Sequence, residues 1–202
     1  MTNNNPDAPR PVMRTEEVPP SIADPAPLGL AGFGTTTLIL SVVNAAWIPA
    51  ASVDAALAMA AAYGGTAQFL AGMWAFRRGN TFAATAFSSY GAFWWSFYLL
   101  EVVFAPHLGT AAGPAVGLYL FTWGIFTTYM FLASLHTTRA VQSVFLLLFI
   151  TYYLLAFGAW LNIPELSHIG GYVGIATAIA ALYTSFADVL NASARRVILR
   201  TN

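Results

Sequence analysis

The chain has no cysteine and no lysine. Without cysteine there is no disulfide framework, no zinc–cysteine site and no iron–sulfur cluster. Charge is scarce too: Asp, Glu, Lys and Arg make up 8% of the 202 residues, against about 25% in a soluble globular domain. The composition is 58% hydrophobic and the mean hydropathy is +0.65. Such a chain cannot cover a water-facing surface, and its solvent is lipid. A formal net charge of zero gives no reason to expect nucleic acid as a partner. Reaction motifs are also missing: there is no HExxH, no GxSxG and no intramembrane pair of acids. We therefore expect no enzymatic activity, no cofactor and no metal.

What is present is unevenly distributed. Residues 1–27 hold seven of the 11 prolines and four of the eight acids, Asp7, Glu16, Glu17 and Asp24. The stretch has no apolar run of the kind found in a secretory signal. It reads as a disordered cytoplasmic tail that cannot bury enough apolar surface to fold.

A helix needs about 20 apolar residues to cross the hydrocarbon core. Six stretches qualify: Leu28–Ala50, Asp54–Phe76, Thr81–Phe104, Ala115–Leu135, Ala140–Leu161 and Ile169–Leu190. Turn chemistry separates them, at Ile48-Pro49, Arg77-Arg78-Gly79-Asn80, Ala105-Pro106-His107-Leu108-Gly109 and Asn162-Ile163-Pro164-Glu165. The expected fold is all-α: a polytopic membrane protein with six transmembrane helices in one compact bundle over 28–190, followed by a basic cytoplasmic tail over 191–202. The arginines are Arg10, Arg14, Arg77, Arg78, Arg139, Arg195, Arg196 and Arg200, and all lie in the two tails and the second and fourth connections. Cytoplasmic loops are enriched in basic residues, so both termini are expected in the cytoplasm.

No arginine lies well within a span, so an anion crossing here needs uncharged donors or the partly positive ends of helices. Thr36, Asn44, Gln68 and Ser89 are the candidate polar residues of a pathway. Ser and Thr in membrane helices commonly bond back to their own helix. A buried amide such as Asn44 or Gln68 needs several partners, so these two serve either as interhelical bonds or as a pathway lining. Glu101 and Asp188 lie near span ends, where solvation competes with a proton-relay role. His107, His136 and His168 fall in connections and read as surface residues. Gly170 and Gly174 form a GxxxG pair suited to close helix crossing, within a protomer or between protomers. Trp74, Trp94, Trp95, Trp123 and Trp160 read as belt or packing residues.

The segment Asp24-Pro25-Ala26-Pro27-Leu28-Gly29-Leu30, followed by AGFGTTT, closely resembles the NPAPLGL signature of the acetate uptake transporter family, also called the succinate–acetate permease or GPR1/FUN34/YaaH-type family. The resemblance continues through YGGTAQFLAGMWAFRRGNTF at 63–82 and TAFSSYGAFWW at 85–95, and extends over about 170 residues. Proline suits the first turn of a helix, Asp24 can cap its free N–H groups, and a helix start left partly unfilled is a natural carboxylate site.

The resemblance implies a six-helix protomer in a homohexamer, each protomer with its own pathway. It also implies an apolar constriction of Phe, Tyr and Leu, which the motifs place at Phe33, Tyr90 and Leu148, with Leu147 as an alternative in the run Leu146–Leu148. The Tyr90 hydroxyl is expected to donate a hydrogen bond to a passing carboxylate. Two positions depart from the family pattern: Asp24 replaces the signature Asn, and Ala75 stands where relatives often have Glu.

The function so implied is transport of acetate and related short carboxylates, with succinate among the candidates, by proton symport or a channel-like pathway. The setting is the cytoplasmic membrane of a prokaryote, with lipid and protons as the further partners. The alternative is a carboxylate sensor or assembly protein that uses the same fold without flux.

Overall fold

The computed structural model describes residues 22–202. The expected tail therefore lies mostly outside the described residues, as do Arg10 and Arg14. The rest is helical, and no strand occurs among the described residues.

Helix α1 is Ala26–Asn44. Helix α2 covers 53–77, with a π turn at Ala60–Gly64 joining Val53–Met59 to Gly65–Arg77. Helix α3 covers 81–108 and has its own π turn at Leu100–Phe104. Helix α4 is Ala112–Ser134, α5 is Arg139–Leu161 and α6 is Pro164–Ala194. Four stretches among the described residues are long and apolar enough to cross a membrane: Ala26–Asn44, Thr81–Ser134, Arg139–Leu161 and Pro164–Ala194. The second of these is 54 residues long and breaks at Gly109, whose φ of 53° lies in the region glycine favours.

Several ends differ from the sequence expectation. α6 runs over Pro164–Ala194 where Ile169–Leu190 was expected, since Pro164 suits a first turn, and α4 starts at Ala112 and not Ala115. Three further ends differ for local reasons. The first helix begins at Ala26, ahead of Leu28, because Pro27 tolerates the first turn and Asp24 Oδ1 accepts from Ala26 N–H at 3.0 Å. It stops at Asn44, well short of Ala50. Ala46 turns left-handed (φ 57°), its N–H donates to the Val43 carbonyl, and Trp47 N–H donates to the Val42 carbonyl. This is the Schellman pattern with alanine in the place usually held by glycine. The break expected at 105–109 shifts to Gly109, because α3 continues through Pro106. The π turn just before Pro106 widens the helix where the proline ring would meet the carbonyl four residues back.

The helices close into a ring. α1 packs along α6, α6 along α5 and α5 along α4, while α2 packs along α3 and more lightly on α1. Glycine governs the tight seams. A Cβ at Gly91 of α3 would lie 2.6 Å from Phe69 N of α2, and one at Gly171 of α6 would overlap the backbone of Ala45 at the end of α1. Gly170 and Gly174 face Leu155 and Ser41, so the GxxxG pair serves crossings within this chain. The seam between α3 and α4 is made instead by side chains. Phe93 stacks on Tyr119 at 5.7 Å, Ser96 bonds the Tyr119 hydroxyl at 2.7 Å, and Tyr90 bonds Thr127 at 2.9 Å.

Candidate functional site

Three helical stripes meet inside the ring. On α1, Ala26, Leu30, Phe33, Thr37 and Asn44 follow one another at helical spacing. On α3 the stripe runs through Ala83, Phe87, Tyr90 and Trp94, and on α5 through Val141, Val144, Leu148 and Thr151. Residues three or four apart share a helix face, so each stripe presents a continuous wall to the centre.

These walls bound two cavities arranged end to end. The first, about 220 Å³, opens among Asn80, Thr137, Thr138 and Asp188, at the end of the bundle that carries Arg77, Arg78 and Arg139. The second, about 40 Å³, runs from Thr37 and Trp94 toward Asn44 and Leu155 at the opposite end. Phe33 and Leu148 line both cavities, and Tyr90 lines the first. All three are buried, and the Phe33 and Tyr90 ring centres are 6.0 Å apart. Leu147 is only half-buried and lines neither cavity, which separates the two leucine candidates in favour of Leu148.

Tyr90 sits in an aromatic setting, with Phe126 edge-on at 5.3 Å and Phe145 at 6.1 Å. Its hydroxyl is committed. Thr127 Oγ1 donates its single proton to the Trp123 carbonyl at 2.8 Å, so in the Tyr90–Thr127 bond Tyr90 is the donor. The O–H therefore points to Thr127, and toward the cavity the tyrosine offers an oxygen that only accepts. The expected hydrogen bond from Tyr90 to a carboxylate is not available in this arrangement.

The other candidates separate clearly. Gln68 is fully buried, lines the first cavity and donates Nε2–H to the Gly64 carbonyl at 3.2 Å, while its Oε1 has no partner. Asn44 is half-buried and lines the second cavity. Thr36 is fully buried with no hydrogen-bond partner, Ser89 is half-buried, and neither lines either of these two cavities. Although Thr37 and Trp94 stand four residues after Phe33 and Tyr90, the sequence does not single out Thr37, one hydroxyl among several in the first span, and Trp94 reads as a belt or packing residue. Both are buried, line the second cavity, and carry polar atoms without a partner.

The signature segment builds the mouth of the first cavity. Ala26 and Leu30 line it, and Gly29 leaves room for the Phe87 ring. The Ser185 hydroxyl of α6 donates to the Pro27 carbonyl at 2.7 Å, and Arg78 donates to the Ile22 carbonyl. Asp24 does what the signature Asn could also do, since each supplies a side-chain oxygen to cap the helix start. Ala75 is completely buried in the tight α2 wall.

A ring of apolar helices around two internal cavities, with Phe33 and Leu148 lining both, defines a helical protein of the membrane class. The model of the GPR1/FUN34/yaaH family matches residues 9–201, and the chain belongs to that family. It is 39% identical to the succinate-acetate/proton symporter SatP of Escherichia coli K12 over 181 residues, covering 88% of this chain and 94% of that one. It is 37% identical to acetate permease A of Emericella nidulans over 187 residues, covering 85% of this chain and 63% of that one. Among solved structures, the bacterial acetate channel SatP superposes with a TM-score of 0.82 at 35% identity, covering 90% of this chain and 99% of that one.

Proposed function

We propose that this protein carries acetate and related short carboxylates across a membrane, along the path that joins its two cavities. The observation that carries this reading is the position of Phe33 and Leu148, which line both cavities and so stand where the two meet. Constriction by Phe33, Tyr90 and Leu148 breaks a continuous water column and admits a small, partly desolvated solute. The relatives named as acetate transporters support the substrate class.

In this reading the chain crosses the membrane six times, with α2 spanning despite its π turn and Gly109 dividing the 54-residue stretch into two crossings. The distribution of Arg77, Arg78, Arg139, Arg195, Arg196 and Arg200 supports a cytoplasmic side for both ends, and the larger of the two cavities then faces the cytoplasm. Assembly into a homohexamer in a prokaryotic cytoplasmic membrane completes the proposal, and the exposed Leu70, Trp74 and Phe76 of α2 suit lipid or a neighbouring protomer.

Uptake of labelled acetate into proteoliposomes tests the reading, with and without an inward proton gradient and beside a Tyr90→Ala variant. Uptake above protein-free vesicles is expected, and gradient-driven accumulation beyond that in protein-free vesicles favours symport over a passive pore. Binding of acetate without uptake by folded protein replaces the transporter with a sensor.

A further inference from the structure

The unpartnered polar atoms differ between the two cavities. Of the polar side chains lining the first cavity, Gln68 lies beside Gly32 and Tyr90 has its ring centre 6.0 Å from that of Phe33. The Gln68 amide is oriented by its own helix: only its N–H₂ end can donate to the Gly64 carbonyl, so the oxygen is the free end. That oxygen has no partner inside a residue with no solvent exposure, and the similarly unpartnered Thr36 hydroxyl does not bond it. The Gln68 side chain runs beside Gly32, one residue from Phe33. Tyr90 gives its proton to Thr127. Both groups therefore accept and neither donates. On the second-cavity side the unpartnered atoms include donors: the Trp94 indole N–H donates only, and the Thr37 hydroxyl can donate as well as accept.

We infer that Gln68 and Tyr90 select the protonated acid: Gln68 Oε1 accepts the O–H of a neutral short carboxylic acid, and a carboxylate, which can only accept, finds no donor at that step. A buried acceptor left facing another acceptor loses its hydrogen bond with no return from water. The titratable groups facing the two cavities, among the described residues, are Asp188 at the first mouth, Tyr90, and Tyr152 in the second cavity. Asp24 lies within electrostatic reach of Asp188. Two acids at that mouth also oppose an anion. The proton travels on the substrate: the acid takes it from water at one mouth and returns it at the other, and no side chain is required to carry it. Past Phe33 and Leu148, the Thr37 and Trp94 donors receive the acid's carbonyl or, after release of the proton, its carboxylate.

This inference rests on the transport reading, and its test separates the two. Labelled acetate flux through the full-length protein in proteoliposomes is challenged with unlabelled acetamide, a neutral isostere that keeps an N–H donor, or with methanesulfonate, a permanent anion of similar size. The expected result is inhibition by acetamide and none by methanesulfonate. Gln68→Leu is expected to lower acetate flux about tenfold, the scale of one lost hydrogen bond, and to abolish the acetamide effect. Inhibition by methanesulfonate with none by acetamide overturns the inference and leaves acetate transport standing. The wild-type competition decides the matter even if Gln68→Leu does not fold. Absence of acetate flux in the same vesicles overturns both readings.

Discussion

Two seams of the ring are built from opposite materials. Between α2 and α3, Gly91 lies against Phe69 and Gly65, backbone on backbone. Between α3 and α4, the rings of Phe93, Tyr119 and Trp123 hold the helices apart, with Tyr90–Thr127 and Ser96–Tyr119 as the polar ties. The first seam leaves no room for a solute. The second moves α3 off α4 and turns its Phe87, Tyr90 and Trp94 face to the centre, where both cavities lie. Small residues close the wall, and large ones define the passage by what they fail to fill.

That contrast can be broken most severely at a glycine seam. Gly171→Leu drives a side chain into the Ala45 backbone, where α1 turns on Ala46. Overpacking of a fixed backbone costs about 3 kcal/mol or more, so the variant should fail to yield folded protein in detergent by size-exclusion chromatography. A monodisperse, wild-type-like peak would show that the α1–α6 crossing is adjustable.

At the passage the expected effect is on selectivity. Phe33→Ala and Leu148→Ala each remove a bulky wall between the cavities, at a stability cost of about 2–5 kcal/mol. Flux of acids larger than acetate should rise relative to acetate. Unchanged ratios in well-folded variants would move the constriction elsewhere.

A smaller effect is expected at Thr127→Val, which removes the acceptor of the Tyr90 hydroxyl without changing volume. A buried hydroxyl without a partner costs about 1–3 kcal/mol. Thermal stability should fall by that order while α3 and α4 remain packed. The mildest change sharpens the account of the signature segment. Asp24→Asn keeps an oxygen for Ala26 N–H, so stability should shift by less than about 0.5 kcal/mol, whereas Asp24→Ala should cost about 1 kcal/mol. Equal losses in both would show that the charge, and not the cap, matters there.

Hydropathy located α5 almost to the residue, where polar chemistry marks both ends, but began α6 five residues late. Thr138 caps α5 and Asn162 turns left-handed after it, and the expected Ala140–Leu161 differs from Arg139–Leu161 by one residue. It failed at the end of α1, because Ala45–Ile48 are as apolar as the helix before them and the stop is a backbone conformation at Ala46. Phe33, Tyr90 and Leu148 were named through resemblance alone, and the packing of α5 was needed to see that Leu148, and not Leu147, lines the cavities. The direction of the Tyr90 hydroxyl was not legible at all. It depends on Thr127, 37 positions away, and on the Trp123 carbonyl that takes the threonine proton. Thr37 and Trp94 could have been found by walking four residues on from Phe33 and Tyr90. Their significance emerged only once the structure left them without partners.

The absence of cysteine makes the most direct measurement a clean one. Leu148→Cys introduces the sole thiol of the protein at the junction of the two cavities. Labelled acetate flux is then measured before and after complete modification by a small uncharged methanethiosulfonate, verified by mass spectrometry. If the path runs between Phe33, Tyr90 and Leu148, modification stops the flux and a reductant restores it. Full modification with undiminished flux would contradict the account, because the solute would then be crossing somewhere other than the constriction.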